Sequence, residues 1–280
     1  MITKTDAIVL KTMKFRDTSK IVTFYTRRYG KLKGVAKGAR EMKSKFGASL
    51  EPMTRVSLVL YRKEHRDLQL ISQCDIVRYY KKIQTEIERM SVALSILDLV
   101  NQLAHDEEEN SDLYKLLVDT FDQLELAEKN YANLFYAFEI RLAGLFGFSP
   151  ALEVCGGCGR KIEEFAGERS AILQLSRGGI LCPACARSAK VLKAENVAAA
   201  RPGLHPFNAG SQGDGNVRIS IPALKIMQRL FLGRLEGVCA LGYPKAVGNE
   251  IDATIRLYLR NHFEDLKPLR SAEVFQKILN

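Results

Sequence analysis

Four cysteines stand in two pairs, Cys155 with Cys158 in CGGCG and Cys182 with Cys185 in CPACA, with 23 residues between the pairs. Two residues between cysteines let both thiolates reach one metal ion, and small residues permit the tight turn this needs. Gly156, Gly157 and Gly159 serve the first pair, Pro183 and Ala184 the second. Four sulfurs with no histidine and no open position describe a closed, tetrahedral, structural zinc site rather than a catalytic one. The spacer is slightly longer than in the commonest zinc ribbons, which leaves room for a short β-hairpin. AILQLS (residues 171–176) and the GGIL before Cys182 are its expected strands. The other reading of these cysteines is as buried or redox-active thiols. The remaining two, Cys74 and Cys239, sit in apolar strand and helix contexts and are expected in the core.

A second kind of chemistry belongs to RRYGKLKGVAKGAREMKSK, residues 27–45. Arg27, Arg28, Lys31, Lys33, Lys37, Arg40, Lys43 and Lys45 are opposed there only by Glu41. Such a segment cannot bury its charges without partners. It is either a solvated surface loop or the wall of a groove that follows a phosphate backbone, with lysines and arginines neutralising phosphates and glycines allowing close approach. The distribution of charge favours the groove. Residues 1–80 carry 18 Lys and Arg against 7 Asp and Glu, while the other 200 residues carry 24 against 25. The net charge of +10 over 280 residues therefore resides in one N-terminal module, the footprint of a nucleic-acid binder. A membrane-surface helix would need large apolar anchors, and the glycines oppose it.

These residues must be held by definite elements. Up to about residue 77 the pattern is β-like: AIVL (7–10), KIVTFYT (20–26), KLKGVAKG (31–38), RVSLVLY (55–61) and LQLISQCDIV (68–77). Five short strands with basic connections predict a small barrel. The five-stranded oligonucleotide-binding barrel, or OB-fold, fits count and charge; an SH3-like barrel fits the count almost as well. Phe15, Tyr25, Tyr29, Phe46 and Tyr61 are candidate rings for stacking on bases.

Beyond Tyr79 apolar residues recur at three- and four-residue spacing. Helices are expected at about 83–103, 112–126 and 131–146, with Gly147 and Pro150 ending the third. The acidic run Asp106-Glu107-Glu108-Glu109 lies between the first two and is expected to be a solvated loop. RPGLHPFNAGSQGDGN (201–216) has loop composition. Three more helices are expected at 222–235, 248–262 and 268–279. The fold class is thus α+β: a barrel domain over 1–80, then a mostly helical domain over 81–280 with the cysteine knuckle inserted at about 153–188. At 280 residues, two domains are expected.

Several classes of function find no support. The four histidines are scattered, and no P-loop, HExxH or GxSxG occurs. No catalytic residue is assigned. No stretch approaches a membrane span, and MITKTDAIVLK has no long apolar region or small-residue cleavage site, so no secretory signal is expected. A cytoplasmic, nucleoid-associated protein is expected, in a compartment where cysteines bind metal or stay buried rather than pair. A nucleic-acid-processing enzyme, or a zinc-ribbon factor acting in transcription or on RNA, are the competing readings.

The order of these features resembles the bacterial DNA repair and recombination-mediator family RecO. The resemblance rests on AIVLKTMKFRDTSKIVTFYTRRYGKLKGVAKGAR, on the helix FYAFEIRLAGLFGFSP, and on CGGCG followed by GGILCPAC. It covers nearly the whole chain. It implies an N-terminal OB-fold and a helical C-terminal domain with a four-cysteine zinc knuckle. It implies a protein without catalytic activity that binds single- and double-stranded DNA and anneals complementary strands. By the same resemblance it engages the C-terminal tail of single-stranded DNA-binding protein (SSB) and, with RecR, helps load RecA onto coated strands; a RecF-type partner is also implied. The basic residues from Arg27 to Lys45 would contact DNA. The helical domain would hold the SSB tail, with Arg141, the lone cation in its helix, as the candidate cation. Family members that lack the full cysteine set imply that the metal supports structure rather than activity.

Overall fold

The computed structural model describes residues 1–63, 66–165, 167–187 and 215–269. Packing divides them into two compact units, one built from residues 1–126 and one from residues 127–267.

The first unit is a closed five-stranded barrel with three helices. Strands β1 (Ile2–Phe15), β2 (Ser19–Thr26), β3 (Gly30–Ala36), β4 (Arg55–Tyr61) and β5 (Gln69–Arg78) close in the order β1-β2-β3-β5-β4. β1 is long enough to serve two neighbours. Ala7–Phe15 pairs with β2 and Ile2–Ile8 with β4, and a bulge between Val9 and Lys11 bends the strand from one partner to the other. All pairings are antiparallel except the short parallel contact of Gly34 and Val35 with Gln69 and Leu70, which closes the barrel. Alternation puts Val9, Val22, Phe24, Leu32, Val56, Leu58, Leu60 and Ile71 in its core. The same alternation turns Lys31 and Lys33 outward from β3.

The helix expected over 83–103 is two helices, α1 (Lys81–Thr85) and α2 (Ile87–Leu103), broken where Glu86 is extended. The break is held from α3 (Ser111–Leu126). Glu125 accepts the Lys82 and Ile83 N–H groups at 3.0 Å each, and buried Arg89 reaches both Glu86 and the Leu124 carbonyl. These helices pack with the barrel as one compact unit.

In the second unit, α4 (Ala132–Leu145) buries Leu134, Phe135, Phe138 and Leu142. A four-stranded sheet runs in the order β6 (Ala151–Cys155), β8 (Gly179–Leu181), β7 (Ser170–Gln174), β9 (Asn216–Ser220). β7 and β8 are the expected hairpin strands; β6 and β9 were not expected. α5 is the short turn Pro183–Ala186. After β9 come α6 (Ile221–Leu232), α7 (Leu235–Val238) and α8 (Lys245–His262). α6 stops short of the expected Leu235 because Gly233 is extended. Most of the loop expected over 201–216, and the helix expected over 268–279 beyond Leu269, lie outside the described residues. Among the described residues no helix is long and apolar enough to cross a membrane.

One buried charge in this unit has a measurable consequence. Glu139 of α4 is 2 % exposed and its Oε2 has no hydrogen-bond partner among the described residues. Burial pushes its carboxyl well above the ordinary 4.5; Asp252 adds to the shift and Arg256 opposes it. A raised carboxyl value means that the fold favours the neutral form. Its stability contribution is therefore intact below 4.5 and is lost as pH climbs toward the raised value. Glu139→Gln removes that titration. The variant is expected to be more stable than the parent at pH 8, by about 1–3 kcal/mol, with the gap closing toward pH 5. Thermal melts of both proteins over this range are the check, and parallel pH curves would remove Glu139 from the account.

Candidate nucleic-acid interface and metal centre

The β2–β3 turn carries Arg27 and Arg28. The Thr26 hydroxyl donates to the Gly30 carbonyl at 3.0 Å and accepts the Tyr29 N–H at 2.9 Å, and Arg27 N–H donates to the Asp6 carbonyl at 2.9 Å. The backbone is thereby fixed while both arginines are exposed. β3 leads away from them with Lys31 and Lys33 on its outer face and ends in the loop that carries Lys37, Arg40, Lys43 and Lys45. Seven residues of strand span roughly 20 Å, so the eight basic residues form a track with a cluster at each end.

They differ in what already holds them. Arg27, Arg28, Lys37 and Lys43 are exposed, with no side-chain hydrogen bond or ion pair to other described residues. Arg40 is spent on architecture: its Nη1 donates to the Arg16 and Asp17 carbonyls at 3.2 and 3.0 Å, tying the β1–β2 turn to the loop after β3. Lys45 donates to the Ser72 carbonyl at 2.6 Å and lies over the Phe46 ring. Lys31 donates to the Asn101 carbonyl at 3.0 Å. Both Lys31 and Lys33 also pair with Asp106, at 3.2 Å each.

The acidic run is exposed, as expected of a solvated loop, yet it is also tied to the barrel. Asp106 bridges to Lys31, the Glu107 N–H donates to the Lys31 carbonyl at 2.8 Å, and Glu107 pairs with Arg62 at 3.1 Å. Burial works against ionisation of Asp106, but hydrogen bonds from Lys33 and Lys31 hold its carboxyl below the ordinary value. From the sequence Asp106 stood only as part of a solvated run, without a partner, and Arg62 was not singled out. The available signal was the one acidic run in the chain that could answer the basic run.

The barrel aromatics separate sharply. Tyr25 is 1 % and Phe46 4 % exposed, so both are interior and cannot stack on a base. Phe15 and Tyr29 are half-buried, Tyr29 beneath the Arg62 guanidinium at 4.7 Å, and Tyr61 is 44 % exposed. In the other unit, Arg141 lies against the C-terminal end of α6. Its Nε and Nη2 donate to the Leu230 carbonyl at 3.1 and 2.9 Å, and Nη2 also to Gly233. Carbonyls at a helix end suit a cation there.

The four knuckle cysteines converge. Cys155 ends β6, Cys182 follows β8, Cys185 lies in α5, and all four sulfurs are within 4.8 Å of one another. The 3.8 Å between Cys158 Sγ and Cys182 Sγ matches the edge of about 3.8 Å that four metal–sulfur bonds of ~2.3 Å require in a tetrahedron. Gly157 makes the approach possible, since a Cβ there would lie 2.9 Å from Cys185 Sγ. The Cys182 and Gly157 N–H groups point at Cys155 Sγ at 3.2 and 3.4 Å. Burial resists ionisation of Cys155, yet backbone N–H groups bring its thiol down to about 6. Cys185 is held up at about 12, first by its hydrogen bond with Cys182. The four sulfurs lie close enough to hold one metal ion, whose charge would let all of them ionise together. No two of the six cysteines are joined as a disulfide; Cys74 is buried as expected, whereas Cys239 is only half-buried.

Comparison with known proteins divides the chain near residue 80. The family model for the N-terminal domain of recombination protein O matches residues 1–80, and that for its C-terminal domain matches residues 84–205. A DNA repair protein RecO of Chloroherpeton thalassium is 32 % identical over 281 residues, covering all of both chains. That of Salinibacter ruber is 30 % identical over 277 residues, covering 99 % of this chain and 94 % of its own. With its barrel, helices and cysteine knuckle in the matched order and relatives along its full length, the chain belongs to the RecO family of DNA repair proteins.

Proposed function

We propose that the chain is a non-enzymatic recombination mediator that binds single- and double-stranded DNA along β3 and anneals complementary strands. The observation that carries this reading is the pair of exposed basic clusters, Arg27 with Arg28 and Lys37 with Lys43, at the two ends of a basic strand on an OB-type barrel. Cations so placed bind phosphates without regard to sequence by releasing counterions. They also screen the mutual repulsion of two strands, which favours pairing. Exposed Tyr61 can add base stacking of ~1–3 kcal/mol.

Cys155, Cys158, Cys182 and Cys185 are proposed to hold one structural zinc, whose bound charge allows all four sulfurs to be thiolates. The second unit is proposed to take the SSB tail, an acidic segment ending in apolar residues, with Arg141 as its cation. RecR is the proposed partner for loading RecA, with RecF as a further link, in the cytoplasm at the nucleoid.

Annealing of two labelled complementary oligonucleotides, bare and SSB-coated, over a salt series tests the reading. Both are expected to anneal without nucleotide, and to do so less as salt rises. Arg141→Gln is expected to slow annealing of coated strands and spare that of bare ones. Salt-sensitive binding with no annealing of either substrate would leave a DNA-binding module that is not a mediator.

A further inference from the structure

The loop between α2 and α3 is fitted to the basic strand. Asp106 gives one carboxylate oxygen to each of Lys31 and Lys33, as a phosphate with two free oxygens would. Lys31 is 13 % and Lys33 46 % exposed at the side chain, so the contact leaves an outer lysine open to solvent and an inner one largely covered. The fit extends to the backbone. Gly30 has φ +56, and a Cβ on it would lie 1.8 Å from the Glu108 carbonyl oxygen, so only glycine lets the loop lie this close. Glu107 itself adopts φ 58, a left-handed conformation that a non-glycine residue holds only where its surroundings enforce it.

We propose that Asp106 occupies, from within the chain, the place a backbone phosphate takes on Lys31 and Lys33, so that nucleic acid must displace the loop to follow β3 along its whole length. This rests on β3 being the nucleic-acid track. The end clusters engage first, and the centre of the track opens only when a strand competes successfully for the two lysines. The loop thus sets a threshold. A strand that reaches only one end meets one cluster, and a strand that spans β3 meets the centre as well.

The test compares parent and Asp106→Asn full-length protein binding a labelled oligothymidylate by fluorescence anisotropy from ~50 to ~300 mM salt. The variant is expected to bind roughly three- to tenfold more tightly at low salt, from the release of the ion pairs to Lys31 and Lys33. Its plot of log affinity against log salt should steepen by about 0.7 for each additional phosphate neutralised. Adding Lys33→Gln to Asp106→Asn should remove most of the increase in affinity. Hydrogen exchange on the parent protein reads the same event without a substitution: saturating oligonucleotide should raise exchange of the Glu107 amide, which is bonded to the Lys31 carbonyl in the latched form. Unchanged affinity and slope in Asp106→Asn, or a Glu107 amide that stays protected in the complex, would make the loop a fixed strut and overturn the proposal. Arg27→Glu with Arg28→Glu, measured alongside, separates the two failures. If that variant binds weakly while Asp106→Asn is unchanged, the track stands and the latch falls; if it binds normally, both fall.

Discussion

Reversing charge at Arg27, Arg28, Lys37 and Lys43 together is expected to lower affinity for single-stranded DNA by at least ~100-fold near 0.15 M salt. A slope of about −0.7 per phosphate contact makes each contact worth about fourfold at that salt, and reversal adds repulsion to the loss. The four residues are chosen because they are exposed and hold nothing else together. Their replacement should therefore shift stability by no more than about 0.5 kcal/mol, and the melting temperature should stay in place. Arg40 makes an instructive contrast. Its guanidinium binds the Arg16 and Asp17 carbonyls, so Arg40→Glu is expected to loosen the β1–β2 turn and confuse a binding defect with a structural one. Salt titration of the fourfold variant is the second check, since its slope should be shallower than the parent's by about 3. A parent-like slope in a folded variant would place the DNA on another surface.

Removing the metal is expected to have the opposite profile. Chelation, or Cys158→Ser, should lower the stability of the second unit by several kcal/mol, because metal bound to the folded state alone adds its binding free energy to folding. For a unit of this size that corresponds to a fall in melting temperature of roughly 10–20 °C. The effect is large because the cysteines tie β6, β8 and α5 to one point. DNA affinity and its salt dependence should stay near those of the parent at temperatures where the second unit remains folded, since the basic track is built entirely from the first unit. Acid should release the metal, as each thiolate lost to a proton is a ligand lost. Elemental analysis finding well under one zinc per chain in freshly purified protein, with the melting temperature indifferent to chelator, would remove the metal from the account.

Strands, helices and the cysteine cluster were legible because each leaves a local trace. An apolar run or alternation marked the core of each barrel strand, and the two-residue gap between cysteines marked the candidate metal centre before any geometry. The full length of β1 was less visible. Only AIVL stands out: in the flanking ITKTD the buried positions are the polar Thr3 and Thr5 while Ile2 is exposed, and in KTMKF Met13 is exposed, so neither flank shows an apolar inward face. β9 escaped for a similar reason. Its Val217 and Ile219 face inward and Arg218 outward, a pattern of only five residues following a Gly- and Asn-rich stretch. The break at Glu86 was invisible in the periodicity because its cause, Glu125, is on another helix.

The electrostatic detail of the candidate site was the least legible. Eight cations in nineteen residues looked equivalent, and only the fold sorts them into exposed, structural and latched. The seating of Asp106 on Lys31 and Lys33 joins residues about 75 positions apart, and no local pattern could report it. Tyr25, in β2, and Phe46, in the segment between β3 and β4, illustrate the limit for rings, since an aromatic of a small barrel domain is as readily core as surface.

The most direct measurement of the central claim is a map of photo-crosslinks from a single-stranded oligonucleotide carrying photoreactive bases to the full-length protein at ~0.1 M salt. Adducts are expected on peptides containing residues 27–45 and near Tyr61, and they should disappear in the fourfold charge-reversal variant. Adducts confined to the second unit, undiminished in that variant, would contradict the assignment of β3 as the nucleic-acid track.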